Sequence, residues 1–269
     1  MPAHRLASGL EVACLDAWEA AFLERDVEAY FALDLGLEPD MIVLDVGANI
    51  GLFAAGVSHR LEGRARILCF EPAPPLFAVL SENAASLPGE ISALDFGLGA
   101  EQATVPFSFF PRLSCLSSAH RGQENLLAEI QRVKAALLEL IRSGGVMPEL
   151  AMLPGELLDA YLESFLKSRA RPEHYEARLR PLSAVLEEQA VRQIDLLKID
   201  VEGAELEVLA GMDEAAWAMT RRIVLELEGF SERSASTRAL LEAKGFEVQL
   251  EHDTVQAAGD YGLVLARRP

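Results

Sequence analysis

The sequence has few of the residues on which several protein classes depend. Only three cysteines occur among its 269 residues, and no two of them have the C-x-x-C spacing of a metal or redox site. Neither a disulfide scaffold nor a structural zinc site is therefore predicted, and we expect a reducing, cytoplasmic environment. We interpret Cys69 as a small hydrophobic residue buried in the core.

Long hydrophobic runs are also missing. No stretch approaches the roughly 20 apolar residues that a membrane-spanning helix needs. Near the N-terminus, Glu11, Asp16 and Glu19 interrupt the apolar residues, which argues against a secretory signal peptide. The sequence thus predicts a cytoplasmic protein without a membrane partner.

Positive charge is scarce. The chain has 24 Lys and Arg against 42 Asp and Glu, which gives a net charge of -18. Such a surface repels phosphate backbones, so nucleic acid is not expected as a partner. Hydrophobic residues make up 51% and charged residues 25%, which is typical of a folded globular chain and excludes disorder as the main description. The length suits one domain that carries an insertion.

Short apolar segments alternate with helical segments from residue 41 onward. The runs 41–46, 67–70 and 194–200 are typical of strands buried on both faces of a parallel sheet. Further strands are predicted at 91–96, 104–110, 223–227, 246–250 and 262–266. Helices are predicted at 52–61, 75–87, 204–211 and 234–244. This alternation indicates an α/β fold with a mainly parallel sheet and right-handed crossovers.

Two other regions have helical spacing of their apolar residues. We predict an N-terminal helical segment over 1–40, with its helix at 10–38, and a main domain over 41–269. Within that domain, about 119–178 is predicted to be a helical insertion with two amphipathic helices. The insertion suits either a lid over a hydrophobic substrate or a surface for carrier docking or dimerisation, so a homodimer stays an alternative.

The most informative motif follows the first buried strand. Asp45 precedes a turn in which Gly47 and Gly51 are separated by three residues, with Asn49 between them. The spacing differs from the G-x-G-x-x-G of dinucleotide sites, and the Gly-Lys-Ser/Thr of a phosphate loop is absent. An acid beside the turn is unfavourable for phosphate but suits a cation or an amine.

S-adenosylmethionine has those properties, since it carries a sulfonium, an ammonium group and an adenosine but no phosphate. Asp45 could organise its methionine part, directly or through water. Glu71 ends the second strand, where a carboxylate can accept hydrogen bonds from both ribose hydroxyls. Asp45 and Glu71 are separated by about one βαβ unit, as such a site requires.

Three segments resemble the FkbM family of S-adenosylmethionine-dependent methyltransferases. They read VLDVGANIGLF, CFEPAPPLF and IDLLKIDVEGAELEVLAGM. The phrases FSFFPRLSCLSS, RLRPLSAVL and LLEAKGFEV further resemble the branch found in polyketide and nonribosomal-peptide pathways. The resemblance implies a seven-stranded Rossmann-like class I methyltransferase sheet of order 3-2-1-4-5-7-6. It also implies O-methylation of a hydroxyl on a natural product or sugar.

The resemblance also implies which residues form the site. Those expected to bind the cofactor are Asp45, Gly47, Ala48, Asn49, Gly51, Glu71, Pro72, Phe96, Gly97, Leu98 and Asp200. The turn at 95–98 is expected to border the adenine. Lys198, Asp200, Glu202 and Gly203 match the family's LLKIDVEG motif at the end of the fourth strand.

Methyl transfer to an alcohol needs alignment of the reacting atoms, and it benefits from a general base or a metal. Asp200 is the first candidate base, with Lys198 reducing the cost of its charge or positioning the alcohol. Glu202 is the next candidate. His120 is a third, because its ordinary pKa lies near 6.5. Alternatively, Asp200 and Glu202 only cap the following helix, and His120 is a surface residue.

No cluster has convincing metal spacing, although Asp200, Glu226, Glu228 and His252 could meet near the strand ends. A divalent metal is therefore an alternative that we do not favour. The expected acceptor is a small molecule with a hydroxyl group, either free or bound to a carrier. The alternatives are transfer to nitrogen, an NAD(P)-dependent oxidoreductase, and a binding module without catalysis.

Overall fold

The computed structural model describes residues 1–119, 123–252 and 260–269, without the side chains of 123–125. The strands in chain order are β1 Ala3–Arg5, β2 Glu11–Ala13, β3 Met41–Val46, β4 Ala65–Phe70, β5 Glu90–Leu94, β6 Gly97–Leu98, β7 Ala103–Phe109, β8 Glu173–Arg180, β9 Leu196–Ile199, β10 Arg222–Glu228, β11 Glu247–His252 and β12 Tyr261–Arg267. The helices are α1 Ala17–Ala32, α2 Leu52–Arg60, α3 Pro74–Ser86, α4 Gln123–Arg142, α5 Gly155–Arg169, α6 Leu182–Glu188, α7 Glu205–Ala210, α8 Glu214–Met219 and α9 Phe230–Ala243.

Seven strands form the central sheet, in the order β11-β12-β10-β9-β3-β4-β5. Counted along the chain within this sheet, that order is 6-7-5-4-1-2-3, which is 3-2-1-4-5-7-6 from the other edge. Neighbouring strands are parallel from β10 to β5, and β12 runs antiparallel between β10 and β11. The predicted α/β class with a mostly parallel sheet is confirmed.

Helices cover both faces of this sheet. Val43 and Leu44 are neighbours on β3 and point to opposite faces, as successive strand residues do. Val43 belongs to a hydrophobic cluster with residues of α1 and α2, and Leu44 to one with residues of α6 to α9. Burial on both faces explains why β3 is an almost continuous apolar run. All three cysteines are buried and free, and Cys69 is fully buried in the core.

The N-terminal segment differs from the helix predicted over 10–38. A hairpin of β1 and β2 comes first, and the helix covers only Ala17–Ala32. Asp16 begins the helix because its side chain accepts a hydrogen bond from the Trp18 N–H. The pairing of two three-residue strands depends on contacts that helical spacing does not reveal.

A second sheet of three strands, β6-β8-β7, lies outside the central sheet. The predicted strand 104–110 is present as β7, but it pairs with β8. The end of the predicted helical insertion is therefore wrong, since 173–178 belong to a strand. In β8 the more buried residues Tyr175, Ala177 and Leu179 alternate with exposed ones, which is the period of a strand.

The helices α4 and α5 do form in the predicted insertion, and they pack against α1. Their shared hydrophobic cluster joins Phe22 of α1 to Ile130, Val133 and Leu137 of α4 and to Leu162 of α5. The ring centroids of Trp18 and Phe165 lie 5.3 Å apart. We call α1, α4 and α5 together the helical cap. No helix in the described part of the chain is long and apolar enough to cross a membrane.

Candidate functional site

A cavity of about 590 Å³ opens at the carboxyl ends of the central strands. Its walls include residues that follow β3, β4 and β9, together with residues of α1 and α4 from the helical cap. Open α/β sheets bind ligands at this edge, and the volume suits a small-molecule site.

The turn after β3 forms the cavity floor and depends on glycine. Gly47 has a φ of 75°, and a Cβ atom there would lie 1.8 Å from the Asp200 carbonyl oxygen. No side chain fits in that space. The Gly47 and Ala48 N–H groups both donate to the Phe70 carbonyl, which fixes the turn to β4. Gly51, with a φ of 90°, precedes α2 as its N-cap.

Glu71 follows β4 beside this turn, and only 4% of it is exposed. Its Oε2 accepts the Asn49 N–H at 3.0 Å, and its Oε1 accepts the Ala73 N–H at 2.9 Å. Burial raises the pKa of Glu71 to about 7, although these two donors oppose the shift. A carboxylate has about four lone-pair sites. Each oxygen therefore retains the capacity to accept one more hydrogen bond, as two ribose hydroxyls would need.

Pro72, which was expected beside the ribose, and the residues expected near the adenine divide into two groups. Pro72, Gly97 and Leu98 line the cavity. The Phe96 side chain is not part of the lining; its ring lies 5.8 Å from that of Phe70, with the Arg180 guanidinium 4.9 Å above it. Phe96 therefore supports the wall from the hydrophobic core.

Lys198 is surrounded by three oxygen acceptors. Its Nζ lies 3.0 Å from Asp45 Oδ1, 3.3 Å from Asp200 Oδ2 and 3.0 Å from the Gly47 carbonyl oxygen. Burial disfavours the ammonium, but the two carboxylates outweigh it and raise the pKa of Lys198. Burial also raises the pKa of Asp45, against the effect of Lys198. Lys198 thus holds two carboxylates and the glycine turn together.

Asp45 is fully buried and does not line the cavity. Its position favours the indirect one of the two roles considered for it over direct contact with a ligand. Asp200 does line the cavity, and 27% of its side chain is exposed. Asp200 is the member of the Lys198 group that can reach a bound molecule.

Three carboxylates, those of Asp200, Glu202 and Glu226, border the cavity near the ends of β9 and β10. Burial raises the pKa of Glu226, and the charges of Asp200 and Glu202 raise it further. The structure does not favour the alternative that Asp200 and Glu202 cap the next helix. That helix, α7, has Ala204 as its N-cap and no side-chain cap hydrogen bond.

Of the two histidine candidates, His120 lies outside the described residues. His252 lines the cavity, stacks on the Phe230 ring at 5.0 Å, and has Nε2 3.4 Å from Asp260 Oδ1. Within residues 1–119, 123–252 and 260–269, no three His, Cys, Asp or Glu side chains form a group that could hold a metal ion.

Residues of the helical cap and of the loop after β7 complete the site, and the sequence motifs did not reveal them. Tyr30 of α1, Arg132 of α4 and Ser114 all line the cavity. Arg132 pairs with Glu129 at 2.8 Å, and its guanidinium lies 4.4 Å from the centre of the Tyr261 ring. The only available signal was a charged or polar residue on an otherwise apolar helix face.

Comparison with known proteins agrees with this geometry. The model of the methyltransferase FkbM domain matches residues 45–248. The chain is 32% identical to the 31-O-demethyl-FK506 methyltransferase FkbM of Streptomyces tacrolimicus, over 98% of this chain and 96% of that protein. It is 34% identical to methyltransferase sdnD of Sordaria araneosa, over 93% of this chain and 90% of that protein.

The chain also resembles part of a much larger protein. It is 33% identical to the AMB antimetabolite synthetase AmbE of Pseudomonas aeruginosa, over 98% of this chain but only 12% of that synthetase. The family match covers more than half of the chain, so the oxidoreductase and the non-catalytic alternatives are set aside. The chain belongs to the FkbM methyltransferase family and is an S-adenosylmethionine-dependent methyltransferase.

Proposed function

We propose that the protein transfers the methyl group to a hydroxyl of a small natural product, such as a polyketide, a peptide or a sugar. The observation that carries this proposal is the position of Asp200, a partly exposed carboxylate that lines the cavity next to the cofactor turn. A carboxylate there can remove a proton from an alcohol, which is otherwise a poor nucleophile. The name of the Streptomyces relative, which refers to a 31-O-demethyl substrate, supports transfer to oxygen.

The residues present suit S-adenosylmethionine, which supplies an electrophilic methyl group on a sulfonium when bound. Glu71 would hold the ribose hydroxyls, because both of its oxygens keep lone pairs after binding Asn49 and Ala73. The Gly47 turn would leave room for the methionine part, and Gly97 and Leu98 would border the base.

Asp200 is the proposed general base. It takes the proton of the acceptor hydroxyl as the oxygen forms its bond to the methyl carbon and the bond from that carbon to sulfur breaks. Lys198 fixes the Asp200 carboxylate through the contact at 3.3 Å, so the base stays oriented during the reaction. Alignment of the reacting atoms contributes to the rate because the entropy of orientation is lost on binding rather than in the reaction.

The helical cap is proposed to act as a lid over the acceptor. Residues of α1 and α4 line the cavity, and α5 packs with both helices in the shared hydrophobic cluster. A lid of this kind would exclude water from the sulfonium and limit hydrolysis.

Product analysis tests the function. The purified protein is incubated with [methyl-13C]S-adenosylmethionine and small-molecule extracts that contain polyketides, peptides or sugars. We expect a labelled methyl carbon with the chemical shift of a methoxy group. A labelled N-methyl group, or binding of S-adenosylhomocysteine without transfer to any of these classes, would contradict the proposal.

A further inference from the structure

Tyr30 brings a buried hydroxyl to the cavity. The residue lies on α1 and lines the cavity, and only 3% of it is exposed. Its hydroxyl makes no hydrogen bond of ordinary length and angle among the described residues, and the Asp200 carboxylate is the acceptor that it faces. An unpaired polar group in a buried position is costly, because it has lost its contact with water without replacement. A ligand oxygen that enters the cavity beside Asp200 can complete the hydrogen bonding of this hydroxyl.

The strand order shows which end of the cavity Tyr30 occupies. Glu71, Gly47 and Asp200 directly follow β4, β3 and β9, and Glu226 lies in the last half of β10; these four strands lie side by side in that order. Neighbouring strands are about 4.8 Å apart, so Glu71 and Glu226 lie on opposite sides of the cavity. A cofactor held by Glu71 across the Gly47 turn leaves the side of β9 and β10 for the acceptor.

Tyr30 lies on this acceptor side. Burial raises the pKa of Tyr30, and the charges of Asp200 and Glu226, together with hydrogen bonding toward Asp200, raise it further. The Lys198 Nζ, which contacts Asp200, lies 5.8 Å from the centre of the Tyr30 ring. The phenol therefore stays protonated and can donate a hydrogen bond beside the proposed base.

Lys198 does not compete for this role. Its ammonium has three N–H donors, and three acceptors already surround it: Asp45, Asp200 and the Gly47 carbonyl. The nearby carboxylate of Asp200 accepts hydrogen bonds when ionised. A ligand atom at this position thus meets one donor, Tyr30, and one acceptor, Asp200.

We infer that the Tyr30 hydroxyl donates a hydrogen bond to the reacting oxygen of the acceptor, and so favours alcohols over amines as methyl acceptors. The inference rests on the proposed function. An alcohol oxygen has one proton and two lone pairs. Asp200 takes the proton, Tyr30 binds one lone pair, and the other lone pair attacks the methyl carbon. A neutral amine has a single lone pair, which cannot bind Tyr30 and attack the methyl group at once.

The residue that makes the proposed hydrogen bond lies outside the segment that matches the family model. Tyr30 precedes residues 45–248, and α1 supplies it from the helical cap. Its ring packs edge-on against Phe53 with centroids 5.8 Å apart. Replacement by phenylalanine keeps that ring contact and removes only the hydroxyl.

Two measurements on Tyr30→Phe test the inference. The first is the rate at which label passes from [methyl-14C]S-adenosylmethionine into the same extracts of polyketides, peptides or sugars that serve for the product analysis. We expect this rate to fall about tenfold, as for the loss of one hydrogen bond. The second is the dissociation constant of S-adenosylhomocysteine by calorimetry, which should stay within about twofold of wild type because the contact is made to the acceptor.

Tyr175→Phe is the matched control, because the Tyr175 hydroxyl bonds to Glu173 on β8 away from the cavity. Melting temperatures establish that both variants fold. An unchanged transfer rate in Tyr30→Phe would overturn the inference, as would a parallel loss of S-adenosylhomocysteine affinity, which would assign Tyr30 to the cofactor. Failure of the wild-type protein to label any hydroxyl would instead reject the proposed function.

Discussion

The buried carboxylate of Glu19 accepts a hydrogen bond from the backbone N–H of Ser114. Ser114 Oγ in turn accepts from Asn49 Nδ2 at 3.0 Å, and the Asn49 N–H donates to Glu71. A chain of three hydrogen bonds therefore runs from α1 to the residue that would hold the ribose. Glu19 is thus linked to the turn after β3 through Ser114, and it is not among the residues that line the cavity.

This relationship predicts an effect of Glu19 on cofactor affinity. Glu19→Ala removes the acceptor, and we expect the affinity for S-adenosylhomocysteine, measured by calorimetry, to fall about fivefold. Glu19→Gln keeps an amide oxygen that can accept the same N–H, and it should restore most of the affinity. Glu24→Ala is the control, because Glu24 on the same helix bonds to Ala7 and His4. Equal losses in Glu19→Ala and Glu24→Ala would contradict the role.

The second prediction concerns the glycine turn. Gly47→Ala places a Cβ atom 1.8 Å from the Asp200 carbonyl in a left-handed backbone, so we expect binding of S-adenosylhomocysteine to be abolished. Gly144→Ala is the matched control for Gly47→Ala. The φ of Gly144, 77°, is similar, and nothing lies within 4 Å of the added Cβ atom. It should cost only about 1 kcal/mol in the free energy of unfolding. Tight binding of S-adenosylhomocysteine by Gly47→Ala would show that the turn does not need glycine at position 47.

The third prediction is a pH dependence. Burial holds the pKa of Glu71 near 7, and the ionised form is the better acceptor for two hydroxyls. Affinity for S-adenosylhomocysteine should therefore rise as the pH increases through 7 and level off near pH 8, by up to about tenfold per pH unit below 7. Glu71→Gln should bind more weakly and lose this dependence. A wild-type affinity that is constant from pH 6 to 8 would refute the assignment.

The fourth prediction concerns stability. Lys198→Met leaves the carboxylates of Asp45 and Asp200 without their cation, and Asp45 is fully buried. We expect the free energy of unfolding in urea to fall by about 3–5 kcal/mol. Lys167→Met removes an exposed ion pair with Glu163 and should cost at most about 1 kcal/mol. The double variant Asp45→Asn with Lys198→Met should recover part of the loss; no recovery would show that the pair is not the cause.

The fifth prediction separates catalysis from binding. Asp200→Asn keeps the side-chain size but removes the proposed base, so turnover should fall by about 100-fold or more. Cofactor affinity should change little, because the Gly47 turn and Glu71 remain in place. Wild-type rates in this variant would remove Asp200 from the mechanism.

The sequence predicts the central βαβ units and the cofactor turn because their signals are local. The apolar run of β3, the glycine positions of the turn and the acid after β4 are close together in the chain, and their spacing follows from strand and helix geometry. The same geometry places Asp200 beside Gly47, because β9 pairs with β3 in parallel.

Other parts of the site depend on how distant elements pack together. Whether Tyr30 and Arg132 face a cavity depends on how α1 and α4 lie over the sheet, and helical spacing alone does not specify this. The strand β8 was not predicted within the insertion, because it depends on pairing with β7, which lies about 70 residues earlier in the chain. The orientation of Phe96 similarly depends on its contact with Phe70.

The helix α1 has a practical consequence for protein engineering. A fragment trimmed to the family-matched residues 45–248 would lose Tyr30 and Glu19, and it would uncover the Phe53 ring that Tyr30 and Phe31 shield. Chimaeras that exchange acceptor preference between relatives should accordingly transplant residues 17–32 together with the catalytic core.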